Sequence, residues 1–358
     1  MRRRLVGWLS AGFSWCLLAG VVIGAVGVIG EGRAAAAARR VPEIYRSIQA
    51  AVDAARPGDT VEVGPGSYCG ATIDKPLSLI GRGQPVIVGC AEGPALFGGV
   101  RIGFYLPGTD GTNPASGTRI DGFLFDGRGV SDANLDPLGL GVFARFARGV
   151  RVEHDTFLGT VQAITDTAGD GWVIAGNRIA ALAVFDCTGS LCAGGDGIVI
   201  QVAPDDVAVP GGAGVAANRP KGNVVVDNRV EAAIPDGFDA FSFAGIFLLA
   251  ADDTVIARND LAIPHNPAAD AEGDGILISN ICCGEPAFTP GTRGTVVVGN
   301  DGRRSQFAVV VEGTGGANTA GLVLRDNLGT ISVEGTVTTE SGPSRPRFVA
   351  QRHRRPLF

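Results

Sequence analysis

The side chains best suited to chemistry in this sequence are carboxylates at matched places. Asp196 and Asp274 each come directly before a glycine that opens a short run of β-branched residues. Two carboxylates that flank a bond can act as general acid and general base, and a separation of roughly 6.5–9.5 Å suits an inverting glycosidase. Asp239, in a phenylalanine-rich segment, is a third catalytic candidate. Because Asp-Gly is also ordinary turn chemistry, a purely structural role stays open.

A second arrangement of acids overlaps the first. Asp270, Glu272 and Asp274 stand at alternate positions and are followed by Gly275. Hard oxygen ligands at this spacing suit Ca²⁺. The pattern departs from an EF-hand, because Ile281 stands where the last acidic ligand belongs. The sequence therefore leaves two options, an isolated Ca²⁺ site or no cofactor.

Ligand contacts are predicted on the outward side of the β-branched runs. Alternation along a strand places Phe143, Phe247, Gln201 and Arg145 on that side, which is unusually apolar for a surface. One hypothesis is a groove in which these four residues bind a substrate. The other is that the long inserts at 202–222 and 264–273 lie over this face, since large exposed apolar patches are rare in soluble monomers.

The elements that must position these residues are strands that repeat around one polar turn residue. Three residues before that turn residue stands an apolar residue in all six copies, and the intervals between copies are 22, 51, 31, 41 and 27 residues. The turn residues are Asp155, Asn177, Asn228, Asn259, Asn300 and Asn327. Asn tolerates the left-handed backbone conformation and can hydrogen-bond along a stack, so the pattern predicts one column of stacked turns.

The repeat predicts a solenoid. Short β-branched runs with Gly and Asn turns, and without intervening helices, do not form βαβ units, but as coils each strand pairs with its copy about 4.8 Å away. An antiparallel sandwich explains the strands and turns but not the asparagine column. Apolar residues at helical spacing from Pro42 to Ala55 predict a helix before the first coil. Asp196 and Asp274 then lie two coils apart, about 9.6 Å.

The opening segment carries a family resemblance. Ile48–Ala55, Gly58–Val61 and Pro65–Tyr68 resemble the first coil of the pectin-lyase-like right-handed β-helix superfamily, and Gly149–Phe157 resembles its generic coil. The resemblance implies an all-β, single-domain right-handed parallel β-helix with a short N-terminal capping helix. It implies little about activity, because members include polysaccharide lyases, hydrolases, esterases, epimerases and non-catalytic surface proteins.

The charge composition limits the classes of molecule that the protein is expected to bind. Without the four Arg and one Glu of residues 1–38, 26 basic and 35 acidic residues remain, a formal charge of −9. The two lysines, Lys75 and Lys221, form no basic stripe that would neutralise phosphates, so nucleic acid is not an expected partner. A polysaccharide or cell-surface glycan is the expected ligand, and the protein is expected to be a monomer.

The N-terminus predicts export. A basic start and an apolar run ending in small residues make 1–38 an export signal peptide, with a membrane anchor as the alternative. The β-helix domain is expected at 39–336 and a disordered basic tail at 337–358. The protein is then secreted, periplasmic or on the cell surface.

Six cysteines remain after the signal, which suits disulfides in an oxidising compartment. Sequence alone leaves fifteen pairings open. Cys69 and Cys90 lie about one coil apart, and Cys187 and Cys192 bracket a short loop, so both pairs are predicted to close. Cys282 and Cys283 are adjacent and are left either free or joined to each other.

Two functions remain open from the sequence. The first is a non-catalytic exported protein that binds a polysaccharide or surface, or serves a structural role. The second is a polysaccharide hydrolase or lyase that uses the acidic residues of the sheet face. Whether the protein is an enzyme is left undecided by the residues, because no Ser-His-Asp arrangement is evident.

Overall fold

Parallel β-strands form nearly all of the regular structure. The computed structural model describes residues 38–131, 133–185, 194–203, 218–238, 243–269, 271–280, 291–313, 320–333 and 338–340. The strands lie in three sheets of eleven, nine and seven strands, and every pairing between strands is parallel. Over these residues there is one α-helix, Ile48–Ala54 (α1), and one short 3₁₀ turn, Phe97–Gly99. No helix in the described part of the chain is long and apolar enough to cross a bilayer.

The eleven-stranded sheet runs the length of the coils, and its strands pair in chain order. They are Ala38–Val41 (β1), Thr60–Val63 (β2), Ser78–Gly81 (β5), Arg119–Asp121 (β8), Arg151–Glu153 (β11), Val173–Ala175 (β14), Val224–Val226 (β17), Val255–Ala257 (β20), Val296–Val298 (β23), Val323–Arg325 (β25) and Thr338–Glu340 (β27). β27 lies within the segment predicted to be a disordered tail.

The other two sheets also follow chain order. The nine-stranded sheet consists of Ala71–Thr72 (β4), Arg101–Leu106 (β7), Leu138–Arg145 (β10), Gln162–Thr167 (β13), Asp196–Gln201 (β16), Phe243–Leu249 (β19), Gly273–Ser279 (β22), Phe307–Val311 (β24) and Ile331–Val333 (β26). The seven-stranded sheet consists of Ser67–Cys69 (β3), Val86–Val88 (β6), Leu124–Asp126 (β9), Thr156–Leu158 (β12), Arg178–Ala180 (β15), Arg229–Glu231 (β18) and Asp260–Ala262 (β21).

The chain visits the three sheets in turn, so each circuit is one coil that pairs with the coil before and after it. β11, β12 and β13 form one such circuit, and β14, β15 and β16 form the next. This arrangement confirms the predicted parallel β-helix and excludes an antiparallel sandwich. Parallel pairing of coil on coil satisfies the backbone groups of all strands except those at the two ends.

The predicted asparagine column is present. The Oδ1 of Asn228 accepts hydrogen bonds from the backbone N–H of Asn177 at 3.0 Å and from its Nδ2 at 2.9 Å. The same pair of bonds joins Asn228 to Asn259 and Asn259 to Asn300. Each buried amide thereby pairs with its neighbours on both sides. Asp155 begins this column, accepting the Phe123 N–H at 2.7 Å.

The core lies inside the coils, on the inward side of each strand. In the nine-stranded sheet, Ile198, Ile246 and Ile276 are paired in register and are fully buried. Phe125 and Phe157 stack inside with ring centroids 4.6 Å apart. Fully buried branched and aromatic side chains at every coil supply the hydrophobic stabilisation that a solenoid needs, because each coil contacts only its neighbours.

The opening helix is shorter than predicted. It begins at Ile48 rather than Pro42, because the Ser47 side chain caps it by accepting the Ala50 N–H at 3.2 Å. Ile48, Ala51 and Val52 are buried against β1, β2 and β4. A strand, β1, precedes the helix where none was predicted. The proposed capping of the first coil is consistent with this position.

One predicted disulfide is present. Cys69 and Cys90 are joined, with their Cα atoms 5.5 Å apart; Cys90 lies two residues after Val88, which pairs with Cys69 in the next coil. Cys187, Cys192, Cys282 and Cys283 lie outside the described residues.

Candidate functional site

The outer face of the nine-stranded sheet carries most of the residues predicted to bind or react. Its register aligns outward side chains in columns along the coils. One column contains Leu140, Gln162, Asp196, Ala244, Asp274 and Phe307. The next contains Tyr105, Phe143, Thr165, Val199, Phe247, Leu277 and Val310. A third contains Arg145, Thr167, Gln201, Leu249 and Ser279.

Asp196 and Asp274 stand in one column with Ala244 between them, about 9.6 Å apart along the coils. Both lie at the beginning of strands rather than in turns. The glycine after Asp196 is needed for packing, because a Cβ on Gly197 would come within 2.5 Å of the Gly245 carbonyl oxygen. This contact explains the Asp-Gly pattern without invoking a turn.

Both carboxylates are buried. The exposed fraction is 4% for Asp196 and 2% for Asp274, and the Asp196 Oδ1 accepts the Ala244 N–H at 3.1 Å. A general acid or base must reach the proton that it transfers. In this arrangement the Asp196 carboxylate instead stabilises the backbone of the next strand.

The other acidic candidates are only partly placed. Asp239 and Asp270 lie outside the described residues. Glu272 is part-exposed directly before β22, two residues from Asp274. Within the described ranges, Glu272 and Asp274 belong to no group of three side chains that could hold a metal ion. The one group of that kind there is Cys69, Cys90 and Glu92. Since the two cysteines are joined in a disulfide, their sulfurs are not thiolate ligands.

The C-terminal part of the outer face is apolar and covered. Val199, Phe247, Leu277 and Val310 follow one another in a column and belong to one buried cluster. Phe247 is 6% exposed, which leaves little of its ring for a ligand. The unusually apolar composition of this face is therefore explained by packing.

The N-terminal part of the same face mixes aromatic with polar groups, and its two part-exposed rings pack at the edge of a buried outer cluster that includes Ile102 and Leu140. We call it the aromatic patch and define it by five part-exposed residues: Tyr105, Phe143, Arg145, Gln162 and Gln201. The rings of Tyr105 and Phe143 lie 5.8 Å apart at 35°. Their side-by-side faces and the surrounding amide and guanidinium donors suit a ligand that offers both C–H surface and hydroxyls.

Neighbouring threonines hold the amides of the patch. The Thr165 hydroxyl donates to the Gln162 Oε1 at 2.8 Å, and the Gln201 Nε2 donates to the Thr167 Oγ1 at 3.2 Å. Both threonines are buried, so they restrict the two glutamines from below. Fixed polar groups lose less entropy when they bind a ligand.

The sequence identified only part of the patch. Phe143, Arg145 and Gln201 were predicted contacts, and the structure places them together, with Arg145 and Gln201 two strands apart in one column. Tyr105 and Gln162 were missed. Alternation would have placed Tyr105 outward, but it would have placed Gln162 inward with Ile164, because Ala163 and Ile164 both face the core. The asparagine repeat did not extend to β7, so no alignment drew attention to Tyr105.

Comparison with known proteins supports the fold. No protein-family model matches the chain, and no curated protein is a significant match. The surface adhesin PfbA of Streptococcus pneumoniae is similar in structure, with 12% identity, a TM-score of 0.50, and coverage of 84% of this chain and 76% of the adhesin. Alginate lyase from Paenibacillus sp. strain FPU-7 has 15% identity, a TM-score of 0.42, and coverage of 84% and 94%.

A third similar structure is pectate lyase Pel9A, with 14% identity, a TM-score of 0.42, and coverage of 84% of this chain and 73% of the lyase. At such identities a likeness carries the fold and not the activity. The strand pairing described above, together with the likeness to the adhesin, shows that the chain has a parallel β-helix fold.

Proposed function

We propose that this protein is an exported, non-catalytic β-helix protein that binds polysaccharide through the aromatic patch. The observation that carries the proposal is the contrast on one sheet face. Tyr105 and Phe143 are part-exposed beside fixed polar groups, whereas the candidate acids Asp196 and Asp274 are buried. A ligand can therefore contact the aromatic residues of this face, whereas the carboxylates that catalysis would need are buried.

The chemistry of the patch supports a carbohydrate ligand. Sugar rings present C–H groups on their faces and hydroxyls at their edges, which match paired aromatic rings flanked by hydrogen-bonding groups. Arg145 adds a positive charge, which strengthens bonds to hydroxyl or carboxylate oxygens. A formal charge of −6 for the whole chain otherwise disfavours a strongly anionic polymer.

Other observations support an extracellular setting. The Cys69–Cys90 disulfide suits an oxidising compartment, and the predicted export signal at 1–38 agrees with it. The neighbour with the TM-score of 0.50 is described as a surface adhesin. The alternative, a polysaccharide hydrolase or lyase that uses Asp196, Asp274 and Asp239, requires these acids to become accessible.

Substituting Phe143 tests the binding proposal. Phe143→Ala is expected to weaken binding to a retained polysaccharide by about tenfold, because aromatic anchors carry a large share of binding energy. Binding would be measured by depletion from suspensions of insoluble glycans and by a soluble-glycan array. Ile44→Ala is the control, since Ile44 is 64% exposed and lies before α1 rather than on the nine-stranded sheet. An equal loss of polysaccharide binding in both variants would contradict the proposal that the aromatic patch binds the ligand.

An activity screen separates the two functions. Incubation with the glycans that bind, with and without EDTA, is expected to release no reducing ends and no unsaturated products. Product formation that disappears in Asp196→Asn and Asp274→Asn would overturn the non-catalytic assignment and favour the enzyme. Loss of that activity in EDTA would point to a Ca²⁺ ion held by Glu272 and Asp274.

A further inference from the structure

The outer face of the eleven-stranded sheet changes character along the coils. From β14 to β25 nine of its ten outward positions are apolar, the exception being Arg325 at the end of β25, and we call these nine residues the apolar strip. They are Val173, Ala175, Val224, Val226, Val255, Ala257, Val296, Val298 and Val323. The same positions in earlier strands are mostly polar, for example Glu62 and Ser78, so the strip is not a general property of this sheet.

The strip is not part of the core. The residues between its two columns, such as Val225, Ile256 and Val297, point inward and are fully buried. The strip residues point away from them, and all except Ala257 remain part-exposed. None of them belongs to the hydrophobic clusters of the described residues. A flat, contiguous set of β-branched side chains on a surface indicates an interaction site.

We propose that the apolar strip is the interface of a homodimer, in which a second copy packs face to face across a two-fold axis parallel to the strands and between β17 and β20. This axis sets β17 over the partner's β20 and β14 over the partner's β23. Eight of the nine strip residues then meet strip residues, because only Val323 lies outside these four strands. Isologous contacts of this kind are the commonest form of assembly.

Charges on both margins of the strip agree with this axis. On one margin Arg148, Asp170, Lys221, Asp252 and Arg293 stack in successive coils and alternate in sign. The Asp252 side chain is 12% exposed and pairs with Arg219 and Arg293 of its own chain. The axis sets Asp170 opposite the partner's Arg293, and Lys221 opposite the partner's Asp252. Because the axis passes between two coils, it sets each of the four charges from Asp170 to Arg293 opposite a charge of the other sign, and Arg148 lies one coil outside this set. Opposite charges at an interface rim favour this register over its neighbours, since a shift by one coil brings like charges together.

The other margin is complementary about the same axis. Asp227 and Arg258 follow β17 and β20 and stack on each other, with side chains 52% and 63% exposed. The axis sets Asp227 opposite the partner's Arg258, and Arg258 opposite the partner's Asp227. Two coils further out, His154 lies opposite the partner's Asp326. Two independent margins thus select one register.

The size of the face predicts a weak dimer. The five strands of the strip, about 4.8 Å apart, and about five residues of about 3.3 Å each give a face of about 400 Å², or about 800 Å² over both copies. Stable complexes usually bury about 1,200–2,000 Å². We therefore expect dissociation in the micromolar range rather than an obligate dimer. A weak dimer replaces the monomer that was expected from the sequence.

Sedimentation of the full chain from about 1 to 200 μM tests the proposal, with a dimer expected at the upper concentrations. Val255→Lys is expected to weaken dimerisation at least tenfold by placing a charge at the centre of the strip. Ser78→Lys, on the polar part of the same sheet face, is the control and should dimerise like the natural chain. A chain that stays monomeric throughout, or a dimer that Val255→Lys leaves unchanged, would overturn the interface.

Mixing two single variants tests the register. Asp227→Arg and Arg258→Asp alone each set like charges against the partner and also break the pair within the chain, so each is expected to be monomeric. Both positions have positive φ and occupy adjacent coils, so each residue type is tolerated there. An equimolar mixture is expected to restore dimers of one copy of each variant, although neither copy has its internal pair. Failure of the mixture to associate would contradict the proposed axis.

Discussion

Asn228→Ala is expected to lower the free energy of unfolding by about 3–5 kcal/mol, because it leaves buried polar groups without partners. The Asn228 Nδ2 donates to the Ile174 carbonyl at 2.9 Å, and its Oδ1 accepts the Asn177 N–H at 3.0 Å. Alanine removes both partners within the coils, where water does not replace them. Urea unfolding followed by far-ultraviolet circular dichroism measures the loss.

A matched asparagine in an exposed turn provides the control for this prediction. Asn134 is exposed and donates to the Gly129 carbonyl at 3.3 Å, so Asn134→Ala is expected to cost less than about 1 kcal/mol. The contrast separates the stacked column from a general asparagine effect. A loss below about 1 kcal/mol for Asn228→Ala would mean that the column contributes little to stability.

Asp155→Asn is expected to stabilise the protein by about 1–3 kcal/mol at neutral pH, by supplying a donor that a carboxylate lacks. The Asp155 Oδ2 is buried and has no hydrogen-bond partner. In the next coil the Asn177 Nδ2 occupies the corresponding place and donates to the Val152 carbonyl at 2.9 Å. Ile120 pairs with Val152 in the sheet, so its carbonyl is the acceptor that an asparagine at 155 would find.

The stabilisation expected for Asp155→Asn should increase as the pH rises. Burial, with smaller contributions from the Asp121 and Glu153 carboxylates, raises the pKa of Asp155 well above its usual value. A raised pKa in the folded state means that the folded chain retains a proton that the unfolded chain releases above about pH 4. Stability of the natural chain therefore falls as the pH rises through the folded pKa. The advantage of Asp155→Asn is expected to vanish near pH 4 and to grow toward neutrality.

Asp166 provides the contrasting case. Burial also raises its pKa, but both of its oxygens already accept hydrogen bonds, from the Gly169 N–H at 2.8 Å and from the Asn223 Nδ2 at 3.2 Å. An asparagine there cannot accept at both positions, so Asp166→Asn is expected to destabilise the protein. Equal responses of the two variants, or a pH-independent gain for Asp155→Asn, would contradict the assignment of the missing donor.

The asparagine column was predictable because it depends on a local pattern that repeats. Each turn residue follows an apolar residue by three positions, and the same backbone turn recurs with loops of different length between copies. The limits of the elements were less predictable. Helix α1 was placed six residues too early, because helical spacing continued through Pro42–Arg46 while the Ser47 cap determined where the helix begins.

Exposure on the nine-stranded sheet was not predictable from alternation alone. Phe143 and Phe247 occupy the same outward column, yet Phe143 is part-exposed and Phe247 is 6% exposed. Alternation determines which side of a sheet a residue faces, because the side-chain period is two. It does not determine what packs against that side, which depends on segments from other coils.

The amino-acid sequence by itself determined the parallel coils, the stacked turns and the column shared by Asp196 and Asp274, because these arise from one pattern pairing with its own copies. The tertiary structure decided that these acids are buried, that the residues of the aromatic patch are part-exposed and that the apolar strip is bordered by complementary charges. Those properties depend on residues from coils separated by unequal loops, and only the register of the folded chain brings such residues together.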